Sequence, residues 1–288
     1  METLNSMKIL SLYDGISCGQ LALQRVKIPY THYYSSEVDK NCIELTKKKF
    51  PKTIFIGDIT NVDFNKYKEI DLIIGGSPCQ GFSIAGKQHK FDDERSKLIL
   101  YFFEAIKICK PKYFLLENVV MNKESTNIVS RYLNLSFVKI NSSLVSAQSR
   151  NRLYWTNIPF IGLPKDKNLY LKDVVYYTKE NLLIYQSLKN LIENKKVIIP
   201  IKSLKFKAKC LSCNPWQPFN TTIIYDKTID NLRYLNCVEL ERLQTLPDNY
   251  TKGYSDIARK KMIGNCWTVD IISWFFSFLK EYTIWFTL

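Results

Sequence analysis

Over the first 120 residues, short apolar runs alternate with longer stretches in which apolar positions recur at helical spacing. The runs at 7–13, 32–36, 53–56, 71–74 and 113–116 read as strands, and the stretches at 18–26, 39–50 and 94–109 as helices between them. Such alternation predicts an α/β fold on a doubly wound, mostly parallel sheet, with ligands taken up at the carboxyl ends of the strands. Two later runs, 136–144 and 151–158, read as strands forming an antiparallel pair at the sheet edge. Beyond Pro159 the periodicity weakens, and prolines and lysines accumulate up to about Tyr234, which marks a second, smaller lobe. Helical patterns resume at 236–246 and 271–278. The expected organisation is a catalytic domain over 1–159, a lobe over 160–235, and C-terminal helices over 236–288 that return to the first domain.

With 288 residues, 46% of them hydrophobic, the chain can bury a sizeable core, which excludes disorder. Its eight cysteines are scattered without framework spacing, and residues 1–5 lack a charged-then-apolar leader, so a reducing, cytoplasmic setting is expected. The apolar run 271–278 is interrupted by Lys280 and Glu281 well short of the roughly 20 residues of a membrane span, and reads as a core helix. Cys210-Leu211-Ser212-Cys213 has no second Cys or His pair beside it, so no metal is expected.

The formal net charge of +14 points to a polyanionic partner. From 161 to 235, 13 Lys or Arg stand against 6 Asp or Glu, an excess of +7. Lys205, Lys207 and Lys209 alternate with Phe206 and Ala208, which would set three ammonium groups on one face of a strand, suited to phosphate contact. The competing reading is a solvated face.

Two places carry candidate chemistry. Gly75-Gly76-Ser77-Pro78-Cys79-Gln80-Gly81-Phe82-Ser83 follows the apolar strand at 71–74 and presents one cysteine, introduced by proline, at a carboxyl strand edge. A buried structural cysteine is the commoner fate of a single thiol, but this polar, glycine-rich run favours a nucleophile. The second place runs from the first strand through Tyr13-Asp14-Gly15-Ile16-Ser17-Cys18-Gly19 into a helix, a turn that lets backbone approach a nucleotide. Glu37, at the next strand's end, is placed to accept both ribose hydroxyls, and Asp58, in Gly57-Asp58-Ile59, to bond an adenine amino group. Asp14 beside the loop would repel a pyrophosphate, so an adenosine carrying a cationic sulfonium suits it better than a dinucleotide.

The order of these pieces resembles the DNA (cytosine-5)-methyltransferase family over nearly the whole chain. The matching segments are Tyr13-Asp14-Gly15 to Gly19, Glu37, Gly57-Asp58, Pro78-Cys79-Gln80, Glu117-Asn118-Val119, Gln148-Ser149-Arg150-Asn151-Arg152, Arg242-Leu243-Gln244-Thr245-Leu246-Pro247 and Gly264-Asn265. The resemblance implies a Rossmann-like class I methyltransferase fold, S-adenosylmethionine as donor with S-adenosylhomocysteine as product, and C5 of a flipped cytosine as acceptor. It implies donor contacts from Tyr13, Asp14, Gly15, Ile16, Ser17, Gly19, Glu37, Val38, Asp58, Ile59, Pro78, Asn265 and Cys266, and makes the lobe between Arg152 and Arg242 the target-recognition region. Two departures touch the donor pocket: Tyr13 stands where the family usually carries Phe, and Cys266-Trp267 replaces a smaller pair. Trp267 and Asp14-Gly15-Ile16 are similar to the animal de novo methyltransferases.

The residues support the same chemistry. Cytosine C5 is too weak a nucleophile until a thiolate adds at C6, and Cys79 is the candidate. Glu117, after the apolar run 114–116, would neutralise charge at N3, close to low dielectric as a proton donor near neutral pH requires. Arg150 and Arg152 would alternate on a strand and share a face, holding the cytosine O2 and a flanking phosphate, with Gln148 on the same face. The polar segment 80–97 reads as a mobile loop closing over DNA, with Gln80, Ser83 or Ile84 filling the gap left by the base. Double-stranded DNA is the expected partner of a monomeric enzyme from a restriction-modification system or a phage, with a cognate endonuclease beside it. A tRNA cytosine methyltransferase and a catalytically silent DNA-binding paralogue are the other readings.

Overall fold

A computed structural model describes residues 6–77, 94–175, 205–213, 222–226 and 231–285. The chain divides into two compact units, one of residues 1–140, 151–163 and 269–288, the other of 141–150 and 164–268.

The first unit holds a seven-stranded sheet of β1 (Met7–Leu12), β2 (Tyr30–Ser36), β3 (Ile54–Gly57), β4 (Leu72–Gly75), β5 (Tyr113–Val119), β6 (Val138–Asn141) and β7 (Asn151–Thr156), in the order β3-β2-β1-β4-β5-β7-β6. The first five run parallel, and β7 is antiparallel to β5. β7 and β6 close one side of the sheet, where the sequence places a strand pair. The strand order turns over between β1 and β4, whose ends are in register at Leu12 and Gly75, and that switch point is where such sheets open a crevice for ligands.

Ile9, Leu10, Leu12, Leu72, Ile73, Ile74, Leu115 and Leu116 are fully buried, as in a parallel sheet covered on both faces. Helix α1 (Cys18–Val26) packs with the C-terminal helix α7 (Val269–Trp285), fastened by an ion pair between Arg25 and Asp270. Helix α3 (Glu94–Cys109) joins Ile99, Phe102 and Ala105 to a core shared with Leu10, Leu12, Ile73 and Leu116. The helix comes so near β4 that a Cβ on Gly75 would stand 2.9 Å from the Phe102 ring, so this position requires glycine. Helix α2 (Lys40–Lys49) starts where the Asp39 carboxylate accepts from the Asn41 and Cys42 amides. Helix α4 (Lys123–Leu133), not anticipated from the periodicity, begins at Asn122, whose side chain accepts from the Ser125 amide.

The second unit contains the hairpin β8 (Ile223–Asp226) and β9 (Asn231–Tyr234), helix α5 (Cys237–Leu243) and helix α6 (Asp256–Asn265). Two buried carboxylates organise it. Glu239 receives both ends of the Arg233 guanidinium at 2.8 Å and the Asn236 amide at 2.7 Å, and Glu241 receives the Asn249 and Thr251 amides and Arg259. Fully hydrogen-bonded in this way, buried charges are tolerated. The units thus differ from the expected division at 159/160 and 235/236: α5 and α6 group with the smaller unit, and α7 alone of the C-terminal helices groups with the sheet. Among the described residues no single helix is long and apolar enough to cross a membrane.

Candidate donor and catalytic site

The chain leaves β1 through a turn in which Tyr13 (φ 60°), Gly15 (φ 58°) and Ser17 (φ 61°) are all left-handed. Two of these are not glycine, so the conformation must be held from outside. Asp14 holds it. Its amide donates to the Ser36 carbonyl at 3.1 Å, and its carboxylate accepts from the hydroxyls of Ser11 (2.6 Å), Ser17 (2.8 Å), Tyr33 (2.7 Å) and Ser35 (3.0 Å). Burial pushes the Asp14 carboxyl above its ordinary range, with those hydroxyls opposing the shift. The expectation of an acid facing the ligand is therefore corrected: Asp14 lies beneath the turn, and the signal for its surroundings is the run of hydroxyl residues in β1 and β2 that are otherwise buried.

Glu37, just past β2, reaches back to the turn. One carboxylate oxygen accepts from the Gly15 amide at 2.7 Å, the other from the Val38 and Asp39 amides at 2.8 Å. Three of roughly four acceptor sites are thus occupied, leaving one on the oxygen that faces Gly15, rather than capacity for two ribose hydroxyls. A Cβ built on Gly15 meets nothing within 4 Å, so the space above the turn is open. Val38 is an apolar side chain 64% exposed at the rim, and exposed Asp58 accepts from the amide and hydroxyl of Thr60 at 2.9 Å. Gly19 and Ile16 do not face this space. Both are buried, and a Cβ on Gly19 would strike Ile74 and stand 2.7 Å from the Tyr33 hydroxyl, so Gly19 allows α1 to approach the sheet. Ser17 and Ile59 are buried too.

On the other side of the switch point, the Ser77 hydroxyl after β4 accepts from the side-chain Nδ2 of Asn118 in β5 at 3.1 Å. Pro78, Cys79, Gln80 and Ser83 lie outside the described residues. Glu117 sits inside β5 rather than beyond its end, 8% exposed, and its carboxylate pairs with the Arg152 Nε of β7 at 2.9 Å. The register places Arg152 opposite Val119, so Glu117 and Arg152 meet as a diagonal pair on one face. The carboxyl is thus held by a guanidinium and not in apolar surroundings alone.

Arg150 does not share that face. It precedes β7 and belongs to the second unit, where its buried guanidinium donates to the carbonyls of Leu211 (3.0 Å), Gly264 (3.3 Å) and Cys266 (3.1 Å). The alternation that suggested a common face fails because the Arg150 amide bonds the Asn141 side chain at 2.9 Å, outside the strand ladder. Gln148 is corrected likewise: fully buried, it donates to the Leu243 carbonyl and Gln244 and accepts from the Leu211 amide, so it offers nothing to DNA. Residues 205–213 form no regular strand, only a bridge between Ala208 and Gln148. Lys205 and Lys209 are exposed, but the Lys207 ammonium donates to the Ser143 and Ser146 carbonyls at 2.7 and 3.2 Å and lies 5.0 Å from the centre of the Tyr170 ring. Asn265 is exposed at the end of α6, and the buried Cys266 thiol donates to the Ile263 carbonyl. Among the described residues no group of three His, Cys, Asp or Glu could hold a metal.

A doubly wound sheet with an open glycine turn and an acid clamp at its switch point has the Rossmann-like methyltransferase fold, and the chain overlays a DNMT2 mutant structure from Spodoptera frugiperda with a TM-score of 0.77 at 22% identity, covering 96% of this chain and 100% of that one. A family model described as C-5 cytosine-specific DNA methylase matches residues 7–198 and 165–280, and the chain belongs to that family. It is 30% identical over 176 residues to the orphan methyltransferase M.SPRI of Bacillus phage SPR, a match to 57% of this chain and 39% of the phage protein. It is 28% identical over 295 residues to the type II methyltransferase M.NgoBI of Neisseria gonorrhoeae, covering 92% and 90%. The chain therefore spans well under half the length of the phage relative, but nine tenths of the gonococcal one.

Proposed function

We propose that this chain is a DNA (cytosine-5)-methyltransferase that uses S-adenosylmethionine. The observation that carries the reading is the Glu117–Arg152 pair, on β5 and β7, with β5 two strands along the sheet from β1 and the turn that Glu37 clamps, in a chain of the cytosine-specific family. The donor set fits the nucleoside. Open space above Gly15, the remaining acceptor site of Glu37 and the exposed Val38 suit a backbone approach, one ribose hydroxyl and an apolar ring face, with Asp58 toward the adenine amino group. S-adenosylmethionine, when bound, supplies a methyl group on a cationic sulfur and leaves as S-adenosylhomocysteine.

The remaining work falls to the chain's own residues. The Cys79 thiolate adds to C6 of the extruded cytosine and forms the S–C6 bond as the C5–C6 double bond opens. Charge gathering at N3 is met by a proton from Glu117, which acts in its acid form, and the Arg152 guanidinium beside that carboxyl holds O2 and fixes the carboxyl's direction. C5, now enamine-like, takes the methyl group. Loss of the C5 proton to a base and return of the N3 proton to Glu117 then restore the C5–C6 double bond and release the Cys79 thiolate. Arg150 takes no part, because its donors are spent on backbone carbonyls.

A cognate endonuclease is the partner this reading adds if the enzyme serves a restriction-modification system. The test is transfer of a tritiated methyl group to duplex DNA and to tRNA in parallel, followed by bisulfite sequencing of the labelled DNA. Label in DNA at a fixed cytosine context supports the proposal. Label confined to tRNA, or none in either, overturns it.

A further inference from the structure

Tyr13 carries more than the first left-handed position of the donor turn. Its ring, like Leu98 and Tyr101 of α3, packs against the sheet core, and its hydroxyl donates to the Leu98 carbonyl. That carbonyl belongs to the fifth residue of α3, the helix that follows the Cys79 segment in sequence. A helix carbonyl uses one lone pair for its own ladder, and the second is available to the phenol. The Tyr13 backbone has little freedom to absorb movement, since the next amide is bonded to Ser36 and the next carboxylate to four hydroxyls. The turn is thus tethered on both flanks, to Glu37 past β2 through the Gly15 amide and to α3 through the Tyr13 hydroxyl. We propose that Tyr13 is a positioning residue whose hydroxyl couples occupancy of the donor turn to the first turns of α3. A phenylalanine at this position would keep the packing and lose the coupling.

The proposal rests on the reading of this turn as the donor site, and amide hydrogen exchange separates the two. In the free protein, Tyr13→Phe should speed exchange at 13–17 and 98–102 together by about 3- to 10-fold, the loss expected for one ordinary hydrogen bond, while the last turns of α3 are unchanged. With S-adenosylhomocysteine added, the wild type should gain protection at both segments, and Tyr13→Phe at 13–19 only. Equal protection of 98–102 in both proteins, or no change in the free variant, overturns the coupling. If S-adenosylhomocysteine protects nothing in the wild type, the donor reading fails, and the free-protein comparison still decides whether the tether exists.

Discussion

Glu37 serves two parties, the turn it clamps and the ribose it is proposed to bind, so its removal acts on both. Glu37→Ala frees the Gly15 amide and deletes a charged acceptor; S-adenosylhomocysteine affinity should fall by about 1–3 kcal/mol, the cost of a lost hydrogen bond to a charged group. Calorimetry showing unchanged affinity would remove Glu37 from the site. The thiols make a second residue-scale prediction. Burial pushes Cys109 up to about 11 and Cys237 up to about 12, so at pH 8 fewer than about 1 in 100 of either is thiolate, the reactive form. Brief alkylation of the native protein at pH 8, read by peptide mass spectrometry, should modify Cys79 well before these two. Modification of Cys109 or Cys237 at the same rate as Cys79 would contradict the assignment of Cys79 as the activated thiol.

The elements were unequally legible. The parallel strands announce themselves as apolar runs because both faces are covered, and their ends locate the turn proposed to take the donor. Helix α4 is hidden because its cap, Asn122, and its few buried positions read as a polar connection, while α6, capped by Ser255, is mostly polar on its surface. Glu117 and Arg152 are singled out as candidates by their motif, but their partnership depends on β7 running antiparallel beside β5, which local sequence does not encode. Arg150 and Gln148 mislead for the opposite reason: two-residue spacing implies a shared face only within a strand, and both precede β7. The basic segment 205–209 shows the same limit. Lys205 and Lys209 are exposed, as phosphate contact requires, and the Lys207 ammonium is half-buried on the Ser143 and Ser146 carbonyls. Neutralising Lys205 and Lys209 should flatten the salt dependence of DNA binding, alike for all sequences, by up to about one unit of log–log slope for each phosphate that a lysine no longer neutralises. Lys207→Met should instead lower thermal stability. If neutralising Lys205 and Lys209 leaves the slope unmoved, the DNA lies elsewhere.

At the scale of the whole molecule, a formal net charge of +14 draws the chain to any polyanion, so binding alone cannot separate a methyltransferase from a silent DNA-binding relative. What separates them is the covalent bond. In a duplex carrying 5-fluorocytosine at the recognised position, fluorine at C5 cannot leave as the proton does, so the S–C6 bond proposed for Cys79 would persist after methyl transfer. The most direct measurement is intact-mass analysis of the denatured protein after incubation with such a duplex and S-adenosylmethionine. The account predicts a donor-dependent adduct with the mass of the protein plus one strand plus one methyl group, mapped to Cys79 and absent in Cys79→Ser. A protein that methylates DNA without forming that adduct, or an adduct that persists in Cys79→Ser, would contradict it.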